Sequence, residues 1–597
     1  MKKGNLEKWT NLAECNNLLF FSQLVNELLF DYSIPSNRIA TLNSHFLCQD
    51  ALNAIDGIDN HGVPEGTLKP IVEELYSALK SDPIFSTCDE SPLNYFVKYQ
   101  NESYRISTRV SELNYEELKK CILALHTKFF QGNKYFSALK IRITKIVMNN
   151  DSSLQKELFR LVKAMLTELV NLGYDQNYIF YVMDKTFWST HINIDNPNKI
   201  DVFFSYFPMK RRKYTVIFVV NQKKIERFIN YIDDLECRDT FERRTTQKSE
   251  QKFLRLKNEE SYLVIDRDAL DPFSAAKKAK NMLTINAAFY RLNDHEYRYN
   301  IDTARCGVYS KDTLIRIPRS KSAIAHTKMP SSKQIKESMD ASGKAMQSVA
   351  DRGSFGDYFA LISAASFHSQ SLDSISQENQ LLDLWAIFES VLDISNKHTS
   401  DRIQQVCLYI VPILKRKYIY SLFSQLTNDI KNYSELEYYK IIGSCTDEKD
   451  AVQKVCEFAI LDEFAVDRTK FFEVCADFPL LHERIEYYST KLKTPVDAFN
   501  FVEKHATRVK WQIMRIYRNR NLIIHNGDSM PYLGLLIENM HSYVDDFLRY
   551  TIHSLSKGNS VNSMCQELFV QECEWIATFS KKSATMDTHM IEKMLSF

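Results

Sequence analysis

The sequence predicts a mainly α-helical protein in which a small α/β module is set between a mostly helical N-terminal region and a C-terminal helical bundle. Three observations point there. Only 14 Gly and 14 Pro occur in 597 residues, too few for a many-turned β architecture. Long stretches carry apolar residues every three or four positions, as amphipathic helices do. One block, roughly residues 199 to 325, breaks that rhythm with runs of β-branched and aromatic residues. The 44% hydrophobic and 25% charged content is that of a folded globular chain, and 31 Tyr with 37 Phe exclude extensive disorder. A chain this long should form two to four domains.

Residues 1–198 form the first region, with helices expected over Leu18–Leu29, Tyr115–Phe130 and Leu154–Leu172. Within it, YFVKYQNESYRIST at 95–108 has two aromatic-rich runs flanking Gln-Asn-Glu-Ser, the pattern of a hairpin. In the α/β module, 199–325, DVFFSYF (201–207) and KYTVIFVV (213–220) read as strands separated by a basic turn, followed by a helix at KKIERFINYI (223–232). SYLVI (261–265) is a further strand. It leads to Asp271-Pro272, an N-cap with proline at the first helical position, and a helix from Phe273 to about Leu292. YRYNI (297–301) and TLIRIPR (313–319) complete the module.

Residues 326–356 are rich in Lys, Ser, Met and Gly without sustained periodicity and read as a linker. Four amphipathic segments then suffice for a bundle over 357–555: LLDLWAIFESVLDI, RIQQVCLYIVPIL, a long helix ending near His525, and LGLLIENMHSYVDDFLRYTI. A C-terminal helical tail, 556–597, closes the chain.

A net charge of +1 gives no global field for nucleic acid, so any such contact must use local patches. The candidates are Lys210, Arg211, Arg212 and Lys213, then Arg243 and Arg244, then Lys277 and Lys278. A charged loop is more often simply solvated, and little aromatic residue is interleaved with these. The closest of twelve cysteines, Cys565 and Cys573, do not form a CxxC, and no Cys/His cluster has zinc-like spacing. Reduced structural thiols are expected, with no metal and no cofactor. Asp266, Asp268 and Asp271 could face a divalent cation, but capping explains Asp271 more simply. No Gly-rich phosphate loop argues for nucleotide use. The N-terminus lacks the apolar run of a signal peptide and no eighteen apolar residues run together, so a cytoplasmic protein without membrane association is expected.

The chemistry-bearing stretch is IYRNRNLIIHNGD, residues 516–528, at the end of the long helix, where Asn526-Gly527 is a stop signal. His525 would sit in the last turn, where the negative end of the helix dipole favours its imidazolium and suits proton transfer. At about 100° per residue, His525, Asn521 and Arg518 share a stripe, whereas Arg520 lies roughly 140° round from His525. Helix geometry alone therefore leans toward Arg518 as the histidine's partner.

The pattern Arg520-Asn521-Leu522-Ile523-Ile524-His525 resembles the R-N-x-x-x-H motif of the HEPN superfamily of helical ribonucleases. Within it, Leu384–Glu389 (LWAIFE) and Tyr517–Gly527 are similar to segments of the Apea-like HEPN proteins of bacterial phage defence. The resemblance covers about 357–555 and does not reach the first 350 residues. It implies metal-independent cleavage of RNA by the ribose 2′-hydroxyl, leaving a 2′,3′-cyclic phosphate and a 5′-hydroxyl. His525 would act as general acid or base, Arg520 would stabilise phosphoryl charge and Asn521 would orient either partner. Arg518-Asn519 also fits the general form, so Arg518 stays as second choice. Glu389 would either support the site or pair with a buried arginine such as Arg518 or Arg515. The resemblance further implies a homodimer, transfer RNA as a substrate, and a phage-derived trigger read by the N-terminal region. The competing reading is an inactive HEPN module that binds RNA or protein.

Overall fold

The computed structural model describes residues 3–30, 42–61, 63, 65–87, 90–107, 109–189, 191–221, 236–238, 254–295, 305–310, 313–317, 332–374, 376–392, 399–526, 533–581 and 585–596. The chain is mainly helical, and the described residues form one small antiparallel sheet besides a hairpin, as expected from composition and periodicity. The elements begin with α1 (Asn16–Phe30), α2 (Ser44–His61), α3 (Leu68–Ser81), β1 (Val97–Gln100), β2 (Ser103–Ile106), α4 (Tyr115–Leu125), α5 (Lys134–Asn149), α6 (Gln155–Leu172), α7 (Gln176–Met183) and α8 (Lys199–Ser205). Then come β3 (Arg212–Asn221), β4 (Glu236–Arg238), β5 (Glu260–Ala269), α9 (Pro272–Arg291), β6 (Cys306–Ser310) and β7 (Thr313–Ile317). The remainder is helical: α10 (Ser332–Asp351), α11 (Phe355–Asp373), α12 (Gln377–Val391), α13 (Thr399–Lys415), α14 (Tyr418–Tyr433), α15 (Glu435–Ile442) and α16 (Glu448–Ile460). Last are α17 (Ala465–Val474), α18 (Pro479–Lys491), α19 (Pro495–Asn526), α20 (Leu533–Ser556), α21 (Val561–Phe579) and α22 (Thr588–Ser596).

The chain divides into two compact units, each built from segments far apart in sequence: residues 4–29 with 129–322, and residues 1–3 with 30–128 and 323–597. In the first, the sheet has the order β4-β5-β3-β6-β7, antiparallel throughout. Alternation along β3 sends Tyr214, Val216, Phe218 and Val220 to the face covered by Ala275, Ala276, Ala279 and Leu283 of α9. Ile217 and Val219 go to the other face, with Tyr262, Tyr309 and Leu314. The α9 N-terminus is held as the sequence foretells: Asp271 Oδ1 accepts from the backbone N–H of Phe273 and Ser274, both at 2.8 Å, with Pro272 at the first position. Asp266 instead pairs with Lys213 across the strands, at 3.0 Å, so the aspartates 266, 268 and 271 do not gather as one site.

The first expected strand of this module, 201–207, is instead largely helix α8. Its Ile200, Phe203, Phe204 and Phe207 repeat at three- and four-residue steps and are all buried, with Phe203 5.3 Å from Phe21 and 5.8 Å from Phe187 between ring centroids. A short aromatic run does not distinguish strand from helix until it is known what covers it. The expected helix at 223–232 and the strand at 297–301 lie outside the described residues.

The second unit contains the hairpin, with Gln100 opposite Ser103 and Tyr99 opposite Tyr104. The two-residue turn puts Asn101 at φ 51° and Glu102 at φ 60°, the left-handed pair that a tight hairpin needs. The bundle core joins α12, α13, α19 and α20, the four segments marked by periodicity. Trp385, Phe388, Ile410, Ile513, Ile516, Met540 and Phe547 meet there, and Met564 and Leu568 of α21 close one side. Each such side chain stabilises the fold by about 1.5–3 kcal/mol relative to exposure.

Two departures stand out. Where a linker is expected, residues 332–351 form helix α10, which buries Ala345 and Val349 on one stripe against Leu361 and Leu555. Ile335 and Met339 of the same helix stay exposed, so its buried stripe is short. Between α13 and α19, helices α14–α18 form an inserted helical layer around Phe423, Val455, Ile485 and Tyr488. Among the described residues, no helix is long and apolar enough to cross a membrane.

Candidate active site

Helix α19 runs 32 residues. Thr494 and Asp497 cap its start reciprocally: the Asp497 N–H donates to Thr494 Oγ1 at 3.1 Å and the Thr494 N–H donates to Asp497 Oδ2 at 3.2 Å. Val502, Ala506, Val509, Ile513, Ile516 and Tyr517 form its buried stripe. The helix ends at Asn526, where the Asn-Gly stop is read from sequence; Gly527 and the His525 side chain lie outside the described residues, and the His525 backbone is in the last turn.

On the side facing α12, the indole N–H of Trp385 donates to Glu389 Oε1 at 3.0 Å, and Trp385 packs on Tyr517 with 5.2 Å between ring centroids. Arg520 Nη2 reaches the same Glu389 oxygen at 3.4 Å, while its Nη1 donates to Asn521 Oδ1 at 3.2 Å. The LWAIFE segment thus supplies two apolar anchors, Trp385 and Phe388, fully in the core, and one carboxylate at its edge. Arg520 and Glu389 keep 20% and 27% side-chain exposure, enough for an anionic ligand to compete for the guanidinium.

Arg515 and Arg518 face elsewhere. Arg518 Nη2 donates to Asp50 Oδ2 of α2 at 3.0 Å, Arg515 donates to Glu74 of α3, and Arg515 Nε lies 3.7 Å from Asp50. Two guanidinium and two carboxylate groups meet in a cluster in which Asp50 and Arg515 are almost wholly buried. Burial pushes the Glu74 carboxyl above its ordinary range, against the pull of Arg515. The expectation that Glu389 would pair with Arg515 or Arg518 is therefore corrected: its partner is Arg520. The reason is rotational, since two residues turn the helix by about 200°, directing Arg518 to α2 and Arg520 to α12. Sharing a stripe with His525 does not make Arg518 available.

Of the basic patch, Lys210 and Arg211 are exposed, and Arg212 and Lys213 open β3, where Lys213 is paired with Asp266. Arg243 and Arg244 lie outside the described residues. Comparison with known protein families, with curated proteins and with solved structures finds no match to this chain.

A second polar cluster escapes sequence reading. His368 of α11 meets His541 and Asp545 of α20, with His368 Nε2 3.0 Å from Asp545 Oδ1. The i, i+4 spacing of His541 and Asp545 is a visible signal for one helical face. The third member, 177 residues from Asp545, is brought in by packing alone.

Proposed function

We propose that the chain is a HEPN-type endoribonuclease that cleaves RNA without a metal and serves in bacterial phage defence, with transfer RNA as its substrate class. The observation that carries this reading is the placing of Arg520 and Asn521 in the last turns of a bundle helix, against Trp385 and Glu389 of the LWAIFE helix. Arg518 being engaged in a buried ion cluster supports Arg520 as the arginine that meets phosphate.

In this reading His525 takes the proton of the ribose 2′-hydroxyl as that oxygen attacks the adjacent phosphorus. The bond to the 5′-oxygen breaks, the leaving oxygen takes up the proton that His525 has accepted, directly or through water, and a cyclic phosphate remains. Arg520 donates to the phosphoryl oxygens as charge builds on them, and Asn521 fixes the guanidinium through the 3.2 Å contact. A homodimer would bring two such helix ends to one cleft, and the rest of the chain would restrain the nuclease until a phage-derived trigger arrives. The protein would act in the cytoplasm.

The test is incubation of the purified chain and its His525→Ala variant with total cellular RNA in excess EDTA, followed by mapping of ends. Cyclic-phosphate ends made only by the unaltered chain support the reading; RNA binding without any turnover under every trigger condition tried sinks it. One observation favours the alternative of a non-cleaving HEPN module: the Glu389 carboxylate already occupies Arg520, as a purely structural pair would.

A further inference from the structure

The His368, His541 and Asp545 cluster has the composition and placement of a cation site. One potential ligand atom from each residue can be chosen so that all lie within 4.8 Å of one another. His541 Nδ1 is 3.8 Å from Asp545 Oδ2, and the two imidazole rings are 5.1 Å apart, tilted by 40°. Zinc bonds of about 2.0–2.2 Å to nitrogen and oxygen place tetrahedral ligand atoms roughly 3.3 Å apart. The 3.0 Å gap is to Asp545 Oδ1 and the 3.8 Å gap to Oδ2, so each imidazole lies beside one oxygen of the same carboxylate, and rotamer adjustments within the 4.8 Å cluster would draw one atom of each residue to that spacing.

The surroundings agree with the geometry. His541 and Asp545 sit one turn apart on α20, with side-chain exposures of 7% and 15%, and His368 comes from α11 at 26%. His368 is the most exposed of the three. Arg549 Nη2 is 3.6 Å from Asp545 Oδ2, but its side chain is 68% exposed and can leave for solvent. Two imidazoles and one carboxylate suit Zn2+ and similar divalent first-row ions, and exclude the hard, all-oxygen preference of Ca2+ or Mg2+.

We propose that His368, His541 and Asp545 bind one Zn2+-class divalent cation, with water completing the coordination, and that the ion clamps α11 to α20. Three protein ligands and one solvent position is an ordinary arrangement for such an ion. The clamp is separate from the RNA chemistry proposed above: it acts on bundle stability, and metal-free cleavage at Arg520 and His525 does not require it.

The experiment uses the full chain, stripped with chelator and dialysed, titrated calorimetrically with Zn2+ and by absorbance with Co2+, with Tm read at each step. One equivalent is expected, with Co2+ ligand-field bands lacking thiolate charge transfer, and a raised Tm. Asp545→Asn and His541→Ala should abolish that equivalent. Because those variants disturb a buried face, the partly exposed His368→Gln is the deciding one: it should keep the metal-free Tm while weakening binding at least tenfold. No stoichiometric binding by the unaltered chain, equal affinity in His368→Gln, or a thiolate-bearing Co2+ spectrum overturns the proposal.

Discussion

The Glu389 carboxylate stands 3.4 Å from the Arg520 guanidinium, on the same oxygen that accepts the Trp385 indole N–H. An acid in that position competes with phosphate for the arginine. Glu389→Gln keeps a carbonyl for Trp385 but removes the charge. For a partly exposed pair worth about 0.2–1 kcal/mol, RNA affinity should rise by about 1.4- to 5-fold. Binding of uncleavable 2′-deoxy oligonucleotides, measured by fluorescence anisotropy, reads this directly; unchanged or weaker binding would show that Glu389 does not mask Arg520.

The two arginines should separate cleanly by phenotype. Arg518→Ala strips Asp50 of a buried partner and should lower stability by about 3 kcal/mol, with cleavage per folded molecule unaffected. Arg520→Ala should change the free energy of unfolding by no more than about 1 kcal/mol and abolish cleavage. If instead Arg518→Ala melts normally and loses activity, the buried cluster is not its role.

His505 gives the pH dependence a definite sign. It is buried, stacked on Tyr418 at 3.6 Å between ring centroids, and burial together with Arg508 depresses its pKa from 6.5 to about 3. Between those values the unfolded chain takes up a proton that the folded one refuses. Stability contributed by neutral His505 is therefore full above pH 6.5 and drains away as pH falls toward 3, at up to about 1.4 kcal/mol per pH unit. His505→Phe preserves the stack and should flatten this part of the stability profile in urea titrations from pH 7 to about pH 4.

Asp271 binds two pieces of backbone at once, accepting from Phe273 and Ser274 in α9 and, through Oδ2, from the Asp175 N–H at 2.9 Å. Asp271→Ala should cost about 2 kcal/mol, the upper end for an N-cap, because a further, partly buried donor also loses its acceptor. Hydrogen exchange followed by mass spectrometry should quicken over residues 174–180 and the first turns of α9 together. Acceleration confined to α9 would contradict the shared role.

Local patterns made much of this fold legible. The hairpin at Asn101-Glu102, the Asp271-Pro272 cap and the four bundle helices each declare themselves within a few residues, through turn chemistry or a three-to-four-residue period. What stayed hidden depends on distance along the chain. Asp50 and Arg518 are 468 residues apart and His368 and Asp545 177, so no spacing rule connects them. The helix over 201–205 was masked by β-prone aromatics, and α10 by its many Lys and Ser and a buried stripe of only Ala345 and Val349.

The ion cluster between Asp50, Glu74, Arg515 and Arg518 also fixes an order of events during synthesis. Asp50 leaves the ribosome 468 residues before Arg518. At about 5–20 residues per second, that is a wait of roughly 25–90 seconds before Asp50 can meet the Arg518 guanidinium. Helix α19 can meet Asp50 and Glu74 only after α2 and α3 have long since emerged, so this contact closes late relative to the helices it joins.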